Sequence, residues 1–173
     1  MSQSYLALST QADVTLSPSI DGTVGGTANG QVVVTVTTDS PTGYELYIKA
    51  SSSPALSSGV NFFSDYTPAG LNPDFIFNTP AASSRFGFSP EGSAVVARWR
   101  DDGVGSCGAG ALNTADVCWD AIGTVNKLVA IESTSNFPGG TPTTLKFRAQ
   151  SDSSNLQAVG TYTATTTVTA IAL

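Results

Sequence analysis

The chain has 173 residues, including 17 glycines and 9 prolines, and only 12% of its residues are charged. This composition, which is also rich in threonine and serine, is typical of short strands joined by tight turns, so it predicts very little helix. Seven basic residues against thirteen acidic ones give a net charge of −6. Because no basic cluster is present, nucleic acid and anionic membrane surfaces are not expected partners.

The first predicted strands show an alternation of apolar and polar residues. Residues 12–20, 31–38 and 44–50 each follow this period of two, which is typical of a strand with one buried face. Proline and glycine in residues 39–43 favour a tight turn between the second and third runs. We therefore predict that residues 31–38 and 44–50 form an antiparallel hairpin.

The middle of the chain mixes serine, proline and glycine with short apolar fragments, and we interpret it as a long excursion carrying short strands. After it, a second hairpin is predicted from residues 85–89 and 94–100, followed by strands at 127–132 and 143–149. Strands separated by turn signals at this spacing favour a single-domain antiparallel β-sandwich, with a barrel as the alternative. No apolar stretch is long enough to span a membrane.

The closing segment, residues 161–173, alternates strictly to the end of the sequence and predicts a strand that lies within a sheet. The alternation also predicts which side chains face the core. The residues expected to be mostly buried are Val34, Val36, Leu46, Ile48, Leu145, Phe147, Tyr162 and Val168.

The N-terminal residues form a separate unit in this interpretation, with an extension or edge strand at 1–11 and the sandwich domain at 12–173. Tyr5, Leu6 and Leu8 make this extension apolar. In a monomer it would be an edge strand or a frayed tail, whereas in a polymer it would add to the open sheet edge of a neighbour. These three residues are the predicted assembly contacts.

Two stretches resemble predicted secreted bacterial surface proteins. The first is Val32-Val-Val-Thr-Val-Thr-Thr-Asp-Ser-Pro-Thr-Gly-Tyr-Glu-Leu-Tyr-Ile-Lys49, and the second is Gly160-Thr-Tyr-Thr-Ala-Thr-Thr-Thr-Val-Thr-Ala170. Phe86-Gly-Phe88 and Cys118-Trp119 also fall in the order that such proteins show. The resemblance implies an exported Ig-like or pilin-like β-sandwich, and it implies no catalytic residues.

The two cysteines, Cys107 and Cys118, lie in a glycine-rich segment whose spacing suits a local disulfide better than a metal site. A disulfide indicates an oxidising location, and we expect the protein to be extracellular or at the cell surface. No signal peptide is visible, but this does not indicate the cytosol, because a leader is removed from mature exported proteins.

Catalysis is not expected. The sequence has no histidine, which excludes Ser-His-Asp and Cys-His arrangements. Four aspartates near the cysteines, namely Asp101, Asp102, Asp116 and Asp120, leave two other chemistries open. They offer a carboxylate pair for glycoside hydrolysis, or oxygen ligands for calcium beside flexible glycines. Their spacing does not match an EF-hand, and the alternative is a solvated acidic loop.

Exposed aromatic side chains would suit a sugar-binding surface, for which Trp119 and Tyr47 are the candidates. The alternative for Trp119 is packing on the disulfide, and Trp99 is expected in the core. The sequence therefore predicts a non-catalytic structural or adhesive surface subunit that contacts itself or other surface subunits. A carbohydrate-binding module that contacts a glycan is the alternative, and calcium is the one cofactor considered.

Overall fold

The computed structural model describes residues 5–173 and confirms the predicted all-β fold. In this part of the chain the only helix is a 3₁₀ turn at Ala97–Trp99, and no helix is long and apolar enough to cross a lipid bilayer. In chain order the strands are β1 (Leu6–Leu8), β2 (Gly26–Thr38), β3 (Tyr44–Ala50), β4 (Leu56–Ser58), β5 (Asn61–Asp65), β6 (Ser84–Glu91), β7 (Lys127–Glu132), β8 (Thr141–Ser151) and β9 (Thr166–Ala172).

The strands form two sheets. The larger sheet has the order β1-β2-β8-β6-β5-β4, and the smaller one has the order β7-β3-β9. The expectation of a wholly antiparallel sandwich is wrong at one pair, because β5 and β6 run parallel with Ser64 opposite Arg85. Parallel neighbours need a long crossover, and the predicted excursion in the middle of the chain supplies it.

One hydrophobic core lies between the two sheets and includes residues from both, so the fold is a β-sandwich. Most of the predicted core is confirmed, because each of these six side chains is at most 7% exposed: Val34, Val36, Leu46, Ile48, Leu145 and Phe147. Tyr162 and Val168 are only half-buried, although both pack against the core. Val168 belongs to β9, an edge strand of the smaller sheet, and Tyr162 lies just before that strand.

The predicted hairpin of β2 and β3 is wrong, because the two strands belong to different sheets. β2 pairs with β1 and β8, whereas β3 pairs with β7 and β9. The turn between them carries the chain across the sandwich. Gly43 is required in this turn, because its φ is +82° and a Cβ atom there would collide with the carbonyl oxygen of Glu132.

Two predicted strands, at residues 94–100 and 12–20, are absent. Residues 94–96 do not pair back on β6; they cross to the edge of β7, where the Val96 N–H donates to the Val129 carbonyl at 3.0 Å. The 3₁₀ turn follows directly. Residues 12–20 contain no strand, and their pairing with β2 is one bridge in which Ser17 and Asn29 exchange two hydrogen bonds of 2.9 Å.

A second, smaller aromatic cluster lies on the outer face of β6. Phe86 and Phe88 point into the core, so Gly87 between them points outward. A Cβ atom at Gly87 would lie 2.8 Å from Tyr66 and 3.2 Å from Phe77. The missing side chain therefore leaves the space in which Tyr66, Phe77 and Trp119 pack together.

Candidate functional site

The predicted aspartates and cysteines all lie in the loop that follows the 3₁₀ turn, which we call the cysteine loop (residues 101–120). The predicted disulfide between Cys107 and Cys118 is present, with 5.7 Å between the two Cα atoms. Both cysteines belong to the main core cluster. The loop then returns to β6, where Phe88 and Asp120 exchange backbone hydrogen bonds of 2.9 and 3.1 Å. The loop is thus fixed to the sandwich at several points, and its disulfide is typical of an oxidising environment.

Asp101 is a buried anchor of the cysteine loop, with no exposed surface. Its carboxylate accepts hydrogen bonds from the Thr114 N–H at 2.7 Å, the Thr114 hydroxyl at 2.9 Å and the Gly103 N–H at 2.8 Å. Burial acts to raise the pKa of Asp101, but these hydrogen bonds outweigh it and the pKa is lowered. The Asp101 carbonyl also lies so close to Gly110 that any side chain there would collide with it.

Asp102 is exposed and holds a turn. Its Oδ1 atom accepts hydrogen bonds from the backbone N–H groups of Ser106, Val104 and Gly105 at 2.9 to 3.0 Å. These bonds stabilise the ionised carboxylate and lower the pKa of Asp102 to about 2. This side chain is therefore occupied in shaping the backbone around it.

The other two predicted aspartates bind basic side chains. The buried Asp120 carboxylate contacts Arg98 Nη2 at 2.5 Å and Lys127 Nζ at 2.9 Å. The exposed Asp116 contacts Lys146 Nζ at 3.1 Å. Arg98 lies in the 3₁₀ turn, Lys127 in β7 and Lys146 in β8, so these ion pairs add to the attachment of the cysteine loop.

The four carboxylates do not converge on one point. Within residues 5–173, no group of three or more acidic, cysteine or histidine side chains is arranged to hold a metal ion. Each of the four has protein partners of its own, as described above. Their positions support the solvated and structural interpretation of the acidic loop better than calcium binding or a carboxylate pair for glycoside hydrolysis.

The two aromatic candidates for a sugar-binding surface differ in their exposure and contacts. Trp119 is 1% exposed, and its ring packs at right angles on Phe77 with 5.3 Å between ring centroids. It therefore presents no open face for a sugar ring. Tyr47 lies on the outer face of β3, is half-buried, and donates a hydrogen bond of 2.6 Å to Glu45.

The predicted assembly residues lie at the edge of the larger sheet. Leu6 and Leu8 belong to β1, opposite Thr38 and Val36 of β2. Tyr5 precedes the strand and packs its ring on Phe137, 5.5 Å away. Tyr5 and Leu6 are 46% and 38% exposed, whereas Leu8 packs against the core. Leu6–Leu8 are thus an edge strand of the larger sheet in this structure.

The sequence did not predict the packing of Arg148 on the outer aromatic cluster. Its guanidinium carbon lies 4.4 Å from the centroid of the Trp119 ring and 5.7 Å from that of Phe77. Its Nε atom donates to Asn29 Oδ1 at 2.7 Å, and burial lowers the pKa of the guanidinium. Strand alternation predicts that Arg148 points outward, but only the structure shows that Gly87 lies opposite it and offers no side chain.

Compared with protein-family models, curated proteins and solved structures, the chain gives no significant match.

Proposed function

We propose that this protein is an exported structural subunit of a cell surface or appendage, which acts by assembly or adhesion and not by catalysis. The observation that carries the proposal is the position of the N-terminal segment. It lies along β2 as an added edge, and its apolar side chains complete one side of the core. The half-buried side chains that do so are Leu8, Val14, Leu16 and Ile20.

Besides its pairing with β2, this N-terminal segment (residues 5–20) is connected to the rest of the sandwich through one turn at residues 21–25. In that turn, Asp21 accepts hydrogen bonds from the Thr23 and Val24 N–H groups, and Gly25 has a φ of +73°. Releasing residues 5–20 would require this turn to open and the hydrogen bonds of the segment with β2 to break, but it would break no pair between the central strands. A strand attached in this way can complete its own sheet or the equivalent sheet of a neighbour.

The disulfide and the buried loop anchors support the exported, structural part of the proposal. Disulfides form and persist in oxidising environments such as the cell exterior. The ionised groups of the cysteine loop hold backbone turns and basic side chains, as Asp101 and Asp120 illustrate. Such contacts attach the cysteine loop to the sandwich.

Cysteine cross-linking tests whether the N-terminal strand is shared between copies. Ala7 and Thr37 lie directly opposite each other on β1 and β2. Directly opposed residues of an antiparallel pair are close enough for a disulfide. A mixture of the single variants Ala7→Cys and Thr37→Cys can form this link only between two chains. We expect a covalent dimer from the mixture, increasing with protein concentration.

The double variant Ala7→Cys/Thr37→Cys is the matched control, because it links within one chain when the strand stays in place. Each single variant, oxidised alone, measures how much dimer forms through two copies of the same cysteine. If the double variant closes internally while the mixture remains monomeric at every concentration, the N-terminal strand is not shared. Electron microscopy of the unmodified protein then shows whether polymers form by another route; a protein that stays monomeric there as well contradicts the proposed function.

A further inference from the structure

The smaller sheet has one covered edge and one open edge. Its β7 edge is covered by residues 94–96, where the Ile131 N–H donates to the Ala94 carbonyl at 2.9 Å. Its other edge is β9, which among the described residues pairs only with β3. No residue of β9 is fully buried, even though the strand packs against the core. β9 is therefore an edge strand of seven residues whose outer side pairs with no other described strand, although it also lies close to β1 of the larger sheet.

The hydrogen-bond pattern shows which backbone groups of β9 face outward. The Leu173 N–H donates to the Gly43 carbonyl at 3.0 Å, and just before β9 the Ser51 N–H donates to the Thr165 carbonyl at 2.9 Å. Odd-numbered residues therefore bond to the β3 side, because hydrogen-bonded pairs alternate in an antiparallel ladder. The even-numbered residues turn both N–H and C=O to the open edge, and these are Thr166, Val168, Ala170 and Ala172.

We propose that this edge pairs with the same edge of a second copy of the chain, antiparallel, about a two-fold axis at Thr169. In that register Thr166 lies opposite the second copy's Ala172, and Val168 lies opposite its Ala170. All outward backbone groups of both strands then gain partners. The result is a continuous sheet with three strands from each copy.

The side chains of β9 suit this symmetric pairing. On the outer face, Thr169 meets the second copy's Thr169, and Thr167 meets its Ile171; on the inner face the opposed residues are small or β-branched. Such cross-strand pairs are favourable in sheets. β9 contains no charge and no proline, which are the usual means by which edge strands avoid pairing. The net charge of −6 is therefore carried elsewhere in the molecule.

The neighbouring strand adds a complementary arrangement of charges. Glu45 lies beside Ile171 and Lys49 lies beside Thr167 on β3. The two-fold axis places Glu45 of one copy and the second copy's Lys49 on the same row of the joined sheet. They are about 14 Å apart, three strand spacings, so their attraction is small. At that separation the charges do not select the partner, and a second copy is favoured by the self-complementary backbone register and by the absence of charge and proline in β9.

This inference rests on the proposed function only in taking another copy of the chain as the partner. The edge that pairs is different, because it is β9 here and β1 in the proposed function.

Thr169→Cys tests the β9 pairing directly, since the two-fold axis places this position opposite itself. Opposed Cα atoms at such a position are about 4.5 Å apart, within reach of a disulfide. We expect a covalent dimer of Thr169→Cys under oxidising conditions. The matched control is Thr144→Cys, an outward threonine in the middle of the larger sheet, which stays monomeric.

A charge substitution tests the same edge without a cross-link. Thr169→Lys places two ammonium groups opposite each other, and we expect dimerisation to weaken about tenfold or more. Thr144→Lys adds the same charge to the other sheet and leaves the dimer unchanged. Sedimentation velocity measures both, with thermal unfolding as the check on folding.

Two results overturn the inference: a Thr169→Cys protein that forms no covalent dimer at concentrations where the unmodified chain associates, or an association that Thr169→Lys leaves intact. If these occur while the Ala7 and Thr37 variants cross-link between chains, the β9 interface fails and the proposed function stands. If the β9 dimer forms without that cross-link, the shared N-terminal strand fails instead.

Discussion

Phe147 shows what a single core side chain contributes to this sandwich. It is 7% exposed, and its ring stacks on Phe86 with 6.3 Å between ring centroids. We expect Phe147→Ala to lower the free energy of unfolding by about 3 to 5 kcal/mol, because transfer energy is lost and a cavity remains. Urea unfolding measures this change. Thr144→Ala on the opposite face of β8 is the control, and a loss below about 1 kcal/mol for Phe147→Ala would contradict the burial of this ring.

Two carboxylates, the exposed Asp102 and the half-buried Asp152, make stability depend on pH at the acid end. Hydrogen bonds lower the pKa of Asp102, and also that of Asp152, to about 2 from an ordinary value of 3.8. For Asp152 the donors are the Ser154 hydroxyl, then the Ser154 and Ala82 N–H groups. Because the folded pKa values lie below the unfolded ones, this stabilisation is present above about pH 4 and is lost as the pH falls towards 2.

Thermal unfolding between pH 7 and pH 2 measures this acid dependence. The melting temperature should fall most steeply below about pH 4. The double variant Asp102→Asn/Asp152→Asn should be less stable at neutral pH and should show a flatter profile. Asp13→Asn is the control, since Asp13 is an exposed carboxylate that makes no hydrogen bond within residues 5–173. A double variant whose profile matches that of the unmodified protein would refute the assignment.

At the scale of elements, the cysteine loop depends on its disulfide. The bond closes a sequence separation of 11 residues and ties the loop to the core. Replacing both cysteines, Cys107→Ala/Cys118→Ala, should reduce the free energy of unfolding by about 3 kcal/mol, mainly because the unfolded chain gains freedom. Denaturant unfolding with and without reductant measures the loss. Reductant should not affect the variant, and equal stability of the variant and the oxidised protein would contradict the prediction.

Strand faces were predictable from the sequence, whereas strand partners were not. Alternation correctly placed Val34 and Leu46 in the core, because each strand has one buried side. The same alternation is compatible with a hairpin or with a crossing between sheets. What decides is the conformation of the turn at Gly43 and its close approach to Glu132 in a strand far along the chain. A local pattern holds no information about that distant contact.

In the candidate site, too, one feature was predictable from the sequence and another was not. The disulfide was predictable because glycine-rich sequence around two cysteines allows a short loop to close. The fate of the aspartates was not predictable, because proximity in sequence did not bring their carboxylates together. The buried Asp101 accepts a hydrogen bond from the Thr114 N–H, and Asp120 forms an ion pair with Lys127 of β7. These partners come from the folded loop, and no spacing rule in the sequence identifies them.

At the scale of the whole molecule, the C-terminal strand seals one side of the sandwich. β9 pairs with β3 along its length, and the Leu173 carbonyl accepts hydrogen bonds from the Ser40 and Thr42 hydroxyl groups. Deleting residues 168–173 would uncover the edge of β3 and the fully buried Leu46 and Ile48 beneath it. We expect the truncated chain to melt at a lower temperature and to aggregate.

The soluble fraction and the melting curve measure the effect of this truncation. Ile171→Ser is the control, because it changes an outward side chain of β9 and keeps the ladder with β3. Cooperative unfolding of the truncated chain at an unchanged temperature would show that β9 is dispensable for the fold.

The positions of the two tryptophans provide fluorescent reporters on both faces of β6. Trp99 is buried in the main core, where it packs on Phe88 with 5.0 Å between ring centroids. Trp119 belongs to the outer cluster beside Arg148. In Trp119→Phe the emission reports on the core alone, and in Trp99→Phe it reports on the outer cluster alone. Coincident emission changes during denaturation would mean that both faces of the sheet melt as one cooperative unit, while an earlier red shift from Trp119 would mark the outer face as the first part of the molecule to admit water.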